Sequence, residues 1–452
     1  MSPISSAFAA LRSGQGLKGQ LMRGGVGSVA IKIGSTLLNV VLAIVLARVL
    51  GAEGFGVYSF VFALITIMAI PAQMGLPNLV VRETAKAQAA GDWALMKGLW
   101  RWSSVMALAM SVVLMAIGGL AAWIFAASLP EGGLAVFYWG LVLVPLVALG
   151  NLRGAALRGL RHVVQGQLPE FILRPAFLIA LVLSLHFGLS ARALTASDAM
   201  MLHAVASLVA FAIGAWLLLR ARPGELAAGP QSTARSSLWL KSALPLGLVE
   251  GMQLINQNFG LIALGIFVNA HEVGLFRVAQ QGATFVSFAL VAINMAVSPQ
   301  FARLYAQGDI EKLRGLVKTS ARISFLTALP LATILVLFGD PLLKLLFGAE
   351  FGASHFPLVI LALGQLAYAF AGPAGYLLYM TGHERDVLWS VAISVVINVI
   401  VAAILVPELG ALGAAISATC AFFVWNGLLA VRVFYRLGFD GTAFAFPKKR
   451  SI

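Results

Sequence analysis

Long apolar runs recur along the whole chain, each about as long as an α-helix that crosses a bilayer. A hydrocarbon core of about 30 Å takes roughly 20 residues at about 1.5 Å per residue. The pattern predicts an all-α, polytopic membrane protein. Its twelve predicted spans cover residues 25–50, 55–81, 100–126, 134–155, 165–188, 199–219, 241–268, 273–298, 320–338, 355–380, 387–406 and 411–434.

Composition supports this prediction and excludes a soluble protein. Of 452 residues, 60% are hydrophobic and 11% are charged, and the mean hydropathy is +0.94. Soluble domains carry about 25% charged residues. The first apolar run is too long for a signal-peptide core, so we expect it to be retained as the first span. The single cysteine, Cys420, rules out an intrachain disulfide and a thiolate metal cage.

The net charge of +14 would suggest nucleic acid in a soluble chain, but the cations fall in alternate loops. Most Lys and Arg lie on the side that holds both chain ends, and Arg153, Arg158 and Arg161 are assigned there after the fourth span. The opposite loops hold only Arg192 and Lys344. The positive-inside rule therefore predicts cytoplasmic termini and removes the argument for nucleic acid.

The two halves of the chain repeat each other. AAGDWALMKGL (89–99) follows the second predicted span and AQGDIEKLRGL (306–316) follows the eighth, with five of eleven positions identical. Each half has six spans that start from the same side, which predicts parallel-repeat lobes around a central cavity. The predicted parts are a cytoplasmic N-terminal segment (1–24), an N-lobe (25–219), a cytoplasmic linker (220–240), a C-lobe (241–435) and a cytoplasmic tail (436–452).

In each half a short basic segment, 82–99 or 303–318, connects the second span to the third. Both segments are partly apolar. We expect them to lie as amphipathic helices on the cytoplasmic face near anionic headgroups, with a solvated connector as the alternative.

Three stretches carry a family resemblance: LARVLGAEGFGVYSF (46–60), MGLPNLVVRETAK (74–86) and INVIVAAILVPELGALGAAISA (397–418). In their order and spacing they resemble the oligosaccharide flippases of the multidrug/oligosaccharidyl-lipid/polysaccharide exporter superfamily. The resemblance covers essentially the whole chain. It implies that polyprenyl-diphosphate-linked sugar units move from the inner to the outer leaflet of the cytoplasmic membrane, for O-antigen, capsule or exopolysaccharide synthesis.

The resemblance also implies the partners. These are a lipid-linked oligosaccharide substrate and membrane lipid, with a polysaccharide polymerase and chain-length machinery as further candidates. The sequence has no nucleophile triad, P-loop or metal-ligand spacing, so we predict a transporter and not an enzyme, with no metal and no cofactor. Coupling to H⁺ or Na⁺ is left open.

A sugar diphosphate cannot cross hydrocarbon unless polar groups replace its water, so a flippase needs a polar and preferably cationic cavity. Intramembrane ionisable residues usually face the interior of a helix bundle. Four cations lie within predicted spans or at their edges and are candidate substrate-binding residues: Lys32, Arg48, Arg174 and Arg277.

Each of these cations has a structural alternative. Lys32 shares a helical stripe with Asn39, a further candidate, but Lys32 can snorkel to the cytoplasmic surface. Arg48, at the outer end of the first span, can anchor the loop. Arg174 follows Glu170 by four residues and can pair with it on one helix face.

Arg277 heads a polar stripe in the eighth predicted span. Its guanidinium suits bidentate binding of a diphosphate, and it can also snorkel outward or pair with Glu272. Gln280 and Gln281 are candidate substrate ligands in the same stripe, which continues through Thr284, Ser287 and Asn294 at helical spacing.

Glu250 is the deepest acid, about 13 Å from the cytoplasmic end of its span. Gln253 and Gln257 share its helix face, whereas Asn256 and Asn258 point elsewhere. We consider Glu250, Gln253 and Gln257 as an ion-coupling group, with a structural partner for one of the cations as the alternative.

Two other functions compete with the flippase prediction. A cation-coupled multidrug antiporter of the same superfamily would line its cavity with acids, whereas here the intramembrane cations outnumber the deep acid. A non-transporting membrane scaffold of a polysaccharide assembly complex would not move lipid at all.

Overall fold

A computed structural model describes residues 17–124, 132–188, 193–228, 232 and 236–444. The predicted terminal segments 1–24 and 436–452 lie partly outside this range, and Arg192 lies wholly outside it. Within the described residues all regular secondary structure is helical.

The first half holds α1 (Leu17–Gln73), α2 (Leu76–Ala90), α3 (Trp93–Ile124), α4 (Gly133–Leu141), α5 (Leu143–Gly159), α6 (Val163–Leu168), a π-helical turn (Pro169–Leu173), α7 (Arg174–Gly188), α8 (Ala196–Ala221) and α9 (Glu225–Ala228). The second half holds α10 (Ser236–Phe267), α11 (Ala270–Ala283), α12 (Phe288–Ala306), α13 (Ile310–Phe347), a 3₁₀ turn (Ala349–Ser354), α14 (His355–Ala371), α15 (Ala374–Met380) and α16 (Glu384–Leu437).

Eight helices in the described part of the chain are long and apolar enough to cross a membrane, or nine when α11 and α12 are counted as one bent span. Two of them, Gly27–Gln73 (47 residues) and Glu384–Leu437 (54 residues), are too long for one crossing. At about 1.5 Å per residue they would run about 70–80 Å, against a core of about 30 Å. The all-α, polytopic class is confirmed, and the number twelve stays a prediction.

Each of these long helices is interrupted at one glycine, Gly51 (φ 70°) or Gly410 (φ 55°), within the sequence Leu-Gly-Ala. A residue with a Cβ rarely adopts such a φ. The N–H of Ala52 then donates to Glu350 Oε1 (3.0 Å), and the N–H of Ala411 donates to the Oε2 of Glu272 (2.7 Å). A carboxylate at a new helix N-terminus satisfies an unpaired donor and interacts favourably with the helix dipole.

The chain divides into two compact units. Unit 1 comprises Met1–Leu42 and Ile65–Glu250, and unit 2 comprises Ala43–Leu64 and Gly251–Ile452. Helices α1 and α10 therefore contribute to both units. The domain boundaries drawn from the sequence repeat stay a prediction.

Part of the segment predicted as a linker packs on unit 1. Leu226 is buried in an apolar cluster with Met96 and Leu160. The backbone N–H of Ser232 donates to the carbonyl of Ala94 at 3.0 Å. These contacts hold the segment against the start of α3.

In both halves the repeated Gly-Asp motif caps two helices: the glycine follows the end of one helix, and the aspartate caps the start of the next. Gly91 (φ 66°) and Gly308 (φ 70°) follow α2 and α12 in the left-handed conformation that ends many helices. Asp92 and Asp309 each accept a hydrogen bond from the backbone N–H three residues later, at 2.9 and 3.1 Å. The hydrogen bond from the Lys312 side chain, and a second from its backbone, lower the pKa of Asp309.

These caps correct the expectation for segments 82–99 and 303–318. Neither segment is one continuous helix, because each is divided by its Gly-Asp turn, and a location near anionic headgroups stays a prediction. The part after the turn is the beginning of α3 or α13, which continues into an apolar membrane helix.

The eighth predicted span, 273–298, is a bent pair of helices and not one straight helix. Helix α11 ends at Ala283 and α12 begins at Phe288, with a bend of 53°. In the turn the Thr284 hydroxyl donates to the Gln281 carbonyl (2.6 Å) and the Ser287 hydroxyl donates to the Thr284 carbonyl (3.3 Å). Successive N–H groups bond three residues back, so the turn is tightened where hydroxyls compete with the α-helical ladder. The polar stripe from Arg277 to Asn294 is therefore divided between two helices.

The second predicted span, 55–81, is likewise divided between two helices. Met74 (φ 42°) and Gly75 (φ 70°) separate α1 from α2. A Cβ on Gly75 would lie 2.4 Å from the Gly247 nitrogen, so this turn packs backbone to backbone on α10.

We predict that replacing Glu272 with Gln destabilises the protein. The charge-assisted bond to the Ala411 N–H would become a neutral one, and we expect a loss of about 1 kcal/mol and a lower Tm in detergent. The control is Glu408→Gln, which removes an exposed carboxylate three residues before Ala411. Equal Tm values for the two variants would contradict the capping role.

Candidate functional site

Lys32 lies on α1 in unit 1 with an exposed side chain that forms no ion pair with a described residue. The Thr36 hydroxyl donates to the Lys32 carbonyl (2.9 Å). Asn39, also exposed, donates through Nδ2 to the Ser35 carbonyl (2.7 Å). The stripe thus satisfies its hydroxyl and amide donors within the helix, which leaves the ammonium of Lys32 and the amide oxygen of Asn39 available to other partners.

The predicted pair of Arg174 with Glu170 is confirmed, at 3.5 Å between Nη1 and Oε2. Glu170 is shared with a second guanidinium, because its Oε1 accepts from Nη2 of Arg153 at 2.9 Å. The Nη1 of Arg153 donates to the carbonyl of Phe211 (2.6 Å). Unit 1 therefore holds two guanidinium groups around one buried carboxylate.

The structure buries Arg153, which the sequence assigns to the cytoplasmic side after the fourth span. It lies in α5 with a side chain 5% exposed. Its position within the fourth predicted span, 134–155, was the signal that should have identified it.

Glu250 in unit 1 is half-buried and accepts a hydrogen bond from Nδ2 of Asn78 on α2, at 2.6 Å. The charge of Arg158 also acts on this carboxylate. The turn at Gly75 brings Asn78 to α10, a contact over 172 residues that no sequence pattern indicates. Glu250 thus has an amide partner and a neighbouring guanidinium.

Unit 2 brings together two predicted substrate residues and one predicted ion-coupling residue. Arg277 donates through Nη1 to Oε1 of Gln280 (2.9 Å), and Nε2 of Gln280 donates to the Gln257 carbonyl (2.9 Å). Arg277 forms no ion pair with a described residue, and Glu272, its predicted alternative partner, caps Ala411 instead. These two hydrogen bonds link α11 to α10, and no described carboxylate pairs with the guanidinium of Arg277.

Close backbone packing positions α11. A Cβ on Gly56 would lie 1.6 Å from the Ala270 carbonyl oxygen, and one on Gly274 would lie 2.1 Å from that of Ala52. Small residues at a membrane helix interface allow this approach. The position of Arg277 is therefore set by glycines on both helices.

Arg48 contacts the end of α13. Its Nε donates to the Leu346 carbonyl (2.6 Å) and its Nη2 donates to the Leu345 carbonyl. Carbonyls of a last helical turn have no partner within the helix. This geometry favours the anchoring alternative for Arg48, and a role in substrate binding stays a prediction.

The remaining predicted residues do not join a common cluster. Gln253 and Gln281 are half-buried, and no hydrogen bond of their side chains to a described residue is seen. Asn256 points elsewhere, as predicted: its Nδ2 donates to the Ser394 hydroxyl (3.1 Å) and its Oδ1 accepts from Nδ2 of Asn398 (2.7 Å). No local sequence pattern indicates the role of Asn398, because its partner is 142 residues away.

Comparisons with known proteins agree with this architecture. Residues 21–305 match the family model described as polysaccharide biosynthesis protein, and residues 245–404 match the MatE family model. The chain is 24% identical over 387 residues to the probable low-salt glycan biosynthesis flippase Agl15 of Haloferax volcanii, covering 84% of this chain and 76% of that protein.

Two solved structures share the fold. A multidrug resistance MATE family transporter of the MOP superfamily, inward-facing, has a TM-score of 0.72 at 16% identity, covering 92% of this chain and 98% of that one. The lipid II flippase MurJ, in an inward closed conformation, has a TM-score of 0.71 at 11% identity, covering 90% and 87%. These folds are those of transporters and flippases and not of enzymes. The chain belongs to the polysaccharide biosynthesis protein family of the multidrug/oligosaccharidyl-lipid/polysaccharide exporter (MOP) superfamily.

Proposed function

We propose that this protein is a flippase that moves polyprenyl-diphosphate-linked oligosaccharide repeat units from the inner to the outer leaflet of the cytoplasmic membrane, for O-antigen, capsule or exopolysaccharide synthesis. The two lobes alternate access to a cationic cavity, and both termini are cytoplasmic. The relative named as a glycan biosynthesis flippase supports this substrate class.

The observation that carries the proposal is the guanidinium of Arg277. It lies in a membrane helix pair, forms no ion pair with a described residue, and is held by the Gln280 amide. An unmatched cation in hydrocarbon is unfavourable, and a diphosphate would match it with bidentate bonds. Lys32 and Arg174 are the other cations that meet the headgroup, while the lipid tail stays in the membrane.

Transport outward is favoured by the membrane potential. Moving one negative charge out of a negative interior is downhill by about 2.3 kcal/mol per 100 mV. Coupling to H⁺ or Na⁺ through Glu250, Gln253 and Gln257 would add to this driving force and is not required for it. A polysaccharide polymerase and chain-length machinery would receive the product.

The antiporter alternative has one observation in its favour, the MatE match over residues 245–404. Drug-resistance profiles of a deletion strain, set beside its polysaccharide export, distinguish the two functions. Flipping by the purified protein in liposomes excludes a non-transporting scaffold.

We predict that Lys32→Gln and Arg277→Gln each slow flipping of a lipid-linked oligosaccharide in proteoliposomes by about 10- to 100-fold. Each variant removes one charged hydrogen-bond donor, worth about 1.5–3 kcal/mol. The control is Arg385→Gln, which removes an exposed cation in the first turn of α16. Wild-type rates in both cavity variants, at equal protein levels, would refute the cationic cavity.

We predict that Glu250→Gln abolishes the dependence of transport on external pH while leaving the protein folded. An amide cannot exchange a proton, but it can still accept the bond from Asn78. Rates are measured in proteoliposomes at several external pH values and compared with those of Glu408→Gln. If pH dependence persists and only the Tm falls, Glu250 balances Arg158 and does not carry the ion.

A further inference from the structure

Three charged side chains in unit 1 form a cluster with one positive charge in excess. Glu170 lies between Arg153 (2.9 Å) and Arg174 (3.5 Å). All three belong to helices that are long and apolar enough to cross a membrane. His203 on α8 is also close enough to feel the charge of Arg174, but an imidazole supplies no negative charge. The described residues therefore leave this charge unbalanced.

The two arginines are held very differently. Arg153 is 5% exposed, bonds two backbone carbonyls through Nη1, those of Phe211 (2.6 Å) and Ala210 (3.4 Å), and lies 5.3 Å from the centre of the Phe211 ring. Arg174 is 23% exposed, and its longer contact with Glu170 is its only polar contact with a described residue. Arg153 is fixed in place, whereas Arg174 can exchange or add a partner.

The fold provides space for this cluster. A Cβ on Gly150 would lie 2.3 Å from Oε1 of Glu170, and a Cβ on Gly214 would lie 2.1 Å from Cζ of Arg153. Glycine at both positions admits the carboxylate and the inner guanidinium between α5, α8 and the π-helical turn. The cluster is thus a defined part of the packing and not a surface contact.

The π-helical turn sets the relation of Glu170 to Arg174. The N–H of Arg174 bonds the carbonyl of Pro169, five residues back. Such turns occur often at functional sites because they displace a side chain from the regular helical face. Glu170 is buried at the start of the turn, and Arg174 is half-buried immediately after it.

We propose that Glu170 is a positioning residue that orients Arg174 towards the diphosphate of the substrate. Arg153 neutralises Glu170 at the shorter distance, so Arg174 keeps the excess charge and is available to an anion. The inference rests on the proposed function, since it assigns one part of the same substrate site. In a purely structural ion pair, by contrast, Arg174 would bind only Glu170 and would not bind the substrate.

The test is binding of farnesyl diphosphate to the full-length purified protein by titration calorimetry, with farnesol as the uncharged comparison. We expect Arg174→Gln to weaken diphosphate binding at least about tenfold with little change in Tm, because one charged donor is lost. Arg174→Lys should restore only part of the affinity, since an ammonium cannot bind bidentately. Arg385→Gln serves as the control for loss of a cation.

Glu170 is tested by a double-mutant cycle. We expect Glu170→Gln to change diphosphate affinity when Arg174 is present and to leave it unchanged in the Arg174→Gln background. An equal change in both backgrounds would overturn the positioning role. Glu170→Gln can fail to fold because Arg153 loses its partner, and in that case the Arg174→Gln variant decides. Unchanged affinity of Arg174→Gln for the diphosphate would overturn the inference. A Tm of Arg174→Gln as low as that of Arg153→Gln would also overturn it.

Flipping of a lipid-linked oligosaccharide by the wild-type protein is measured in the same preparation. If the wild type flips the lipid but Arg174→Gln binds farnesyl diphosphate as tightly, only this inference fails. If the wild type binds the diphosphate through Arg174 but flips no lipid-linked sugar, the proposed function fails and the anion site stands.

Discussion

Every helix end leaves backbone N–H or C=O groups without a partner, and a chain that crosses a membrane several times has many such ends to satisfy. This constraint explains how the long helices are interrupted. At both Leu-Gly-Ala breaks the first free N–H is met by a carboxylate, from Glu350 in one case and from Glu272 in the other. At the end of α13 the free carbonyls are met by Arg48. Charged side chains at these places supply the hydrogen-bond partners that the helix ends lack. The chain can therefore turn there without leaving these backbone groups unpaired.

The same constraint separates the structural charges from the candidate functional ones. Arg48, Arg153 and Glu272 have their hydrogen bonds directed to backbone or to an opposite charge. Arg277 is held by a neutral amide, so its charge is oriented but not cancelled. Arg174 shares a carboxylate that Arg153 already engages. A membrane cation held in place without neutralisation is the arrangement that an anionic headgroup requires.

The sequence predicted the features that depend on residues close together along the chain, and it missed those that depend on residues far apart. The apolar runs and the Glu170–Arg174 pair were correctly predicted, because both depend on residues within a few turns of one helix. The break of the eighth span was missed, since competition by the Thr284 and Ser287 hydroxyls is visible only once the backbone is known. The bonds of Arg48 to α13 and of Asn78 to Glu250 join residues 298 and 172 positions apart, and no local pattern contains them. The substrate roles of the named side chains also depend on contacts that no local pattern contains, so these roles stay predictions.

The chemistry of unit 2 bears on the choice between an anionic and a cationic substrate. Asn256, Ser394 and Asn398 form a polar cluster of amides and a hydroxyl, and Arg277 is held by the amide of Gln280. A cationic drug would need an uncommitted carboxylate to replace its water, and Glu272 is bound to a helix N-terminus. Desolvating a cation beside Arg277 would add repulsion to that unfavourable transfer. A diphosphate would meet the opposite situation, because the guanidinium attracts an anion. The described residues around Arg277 therefore support the proposed anionic substrate over a cationic one.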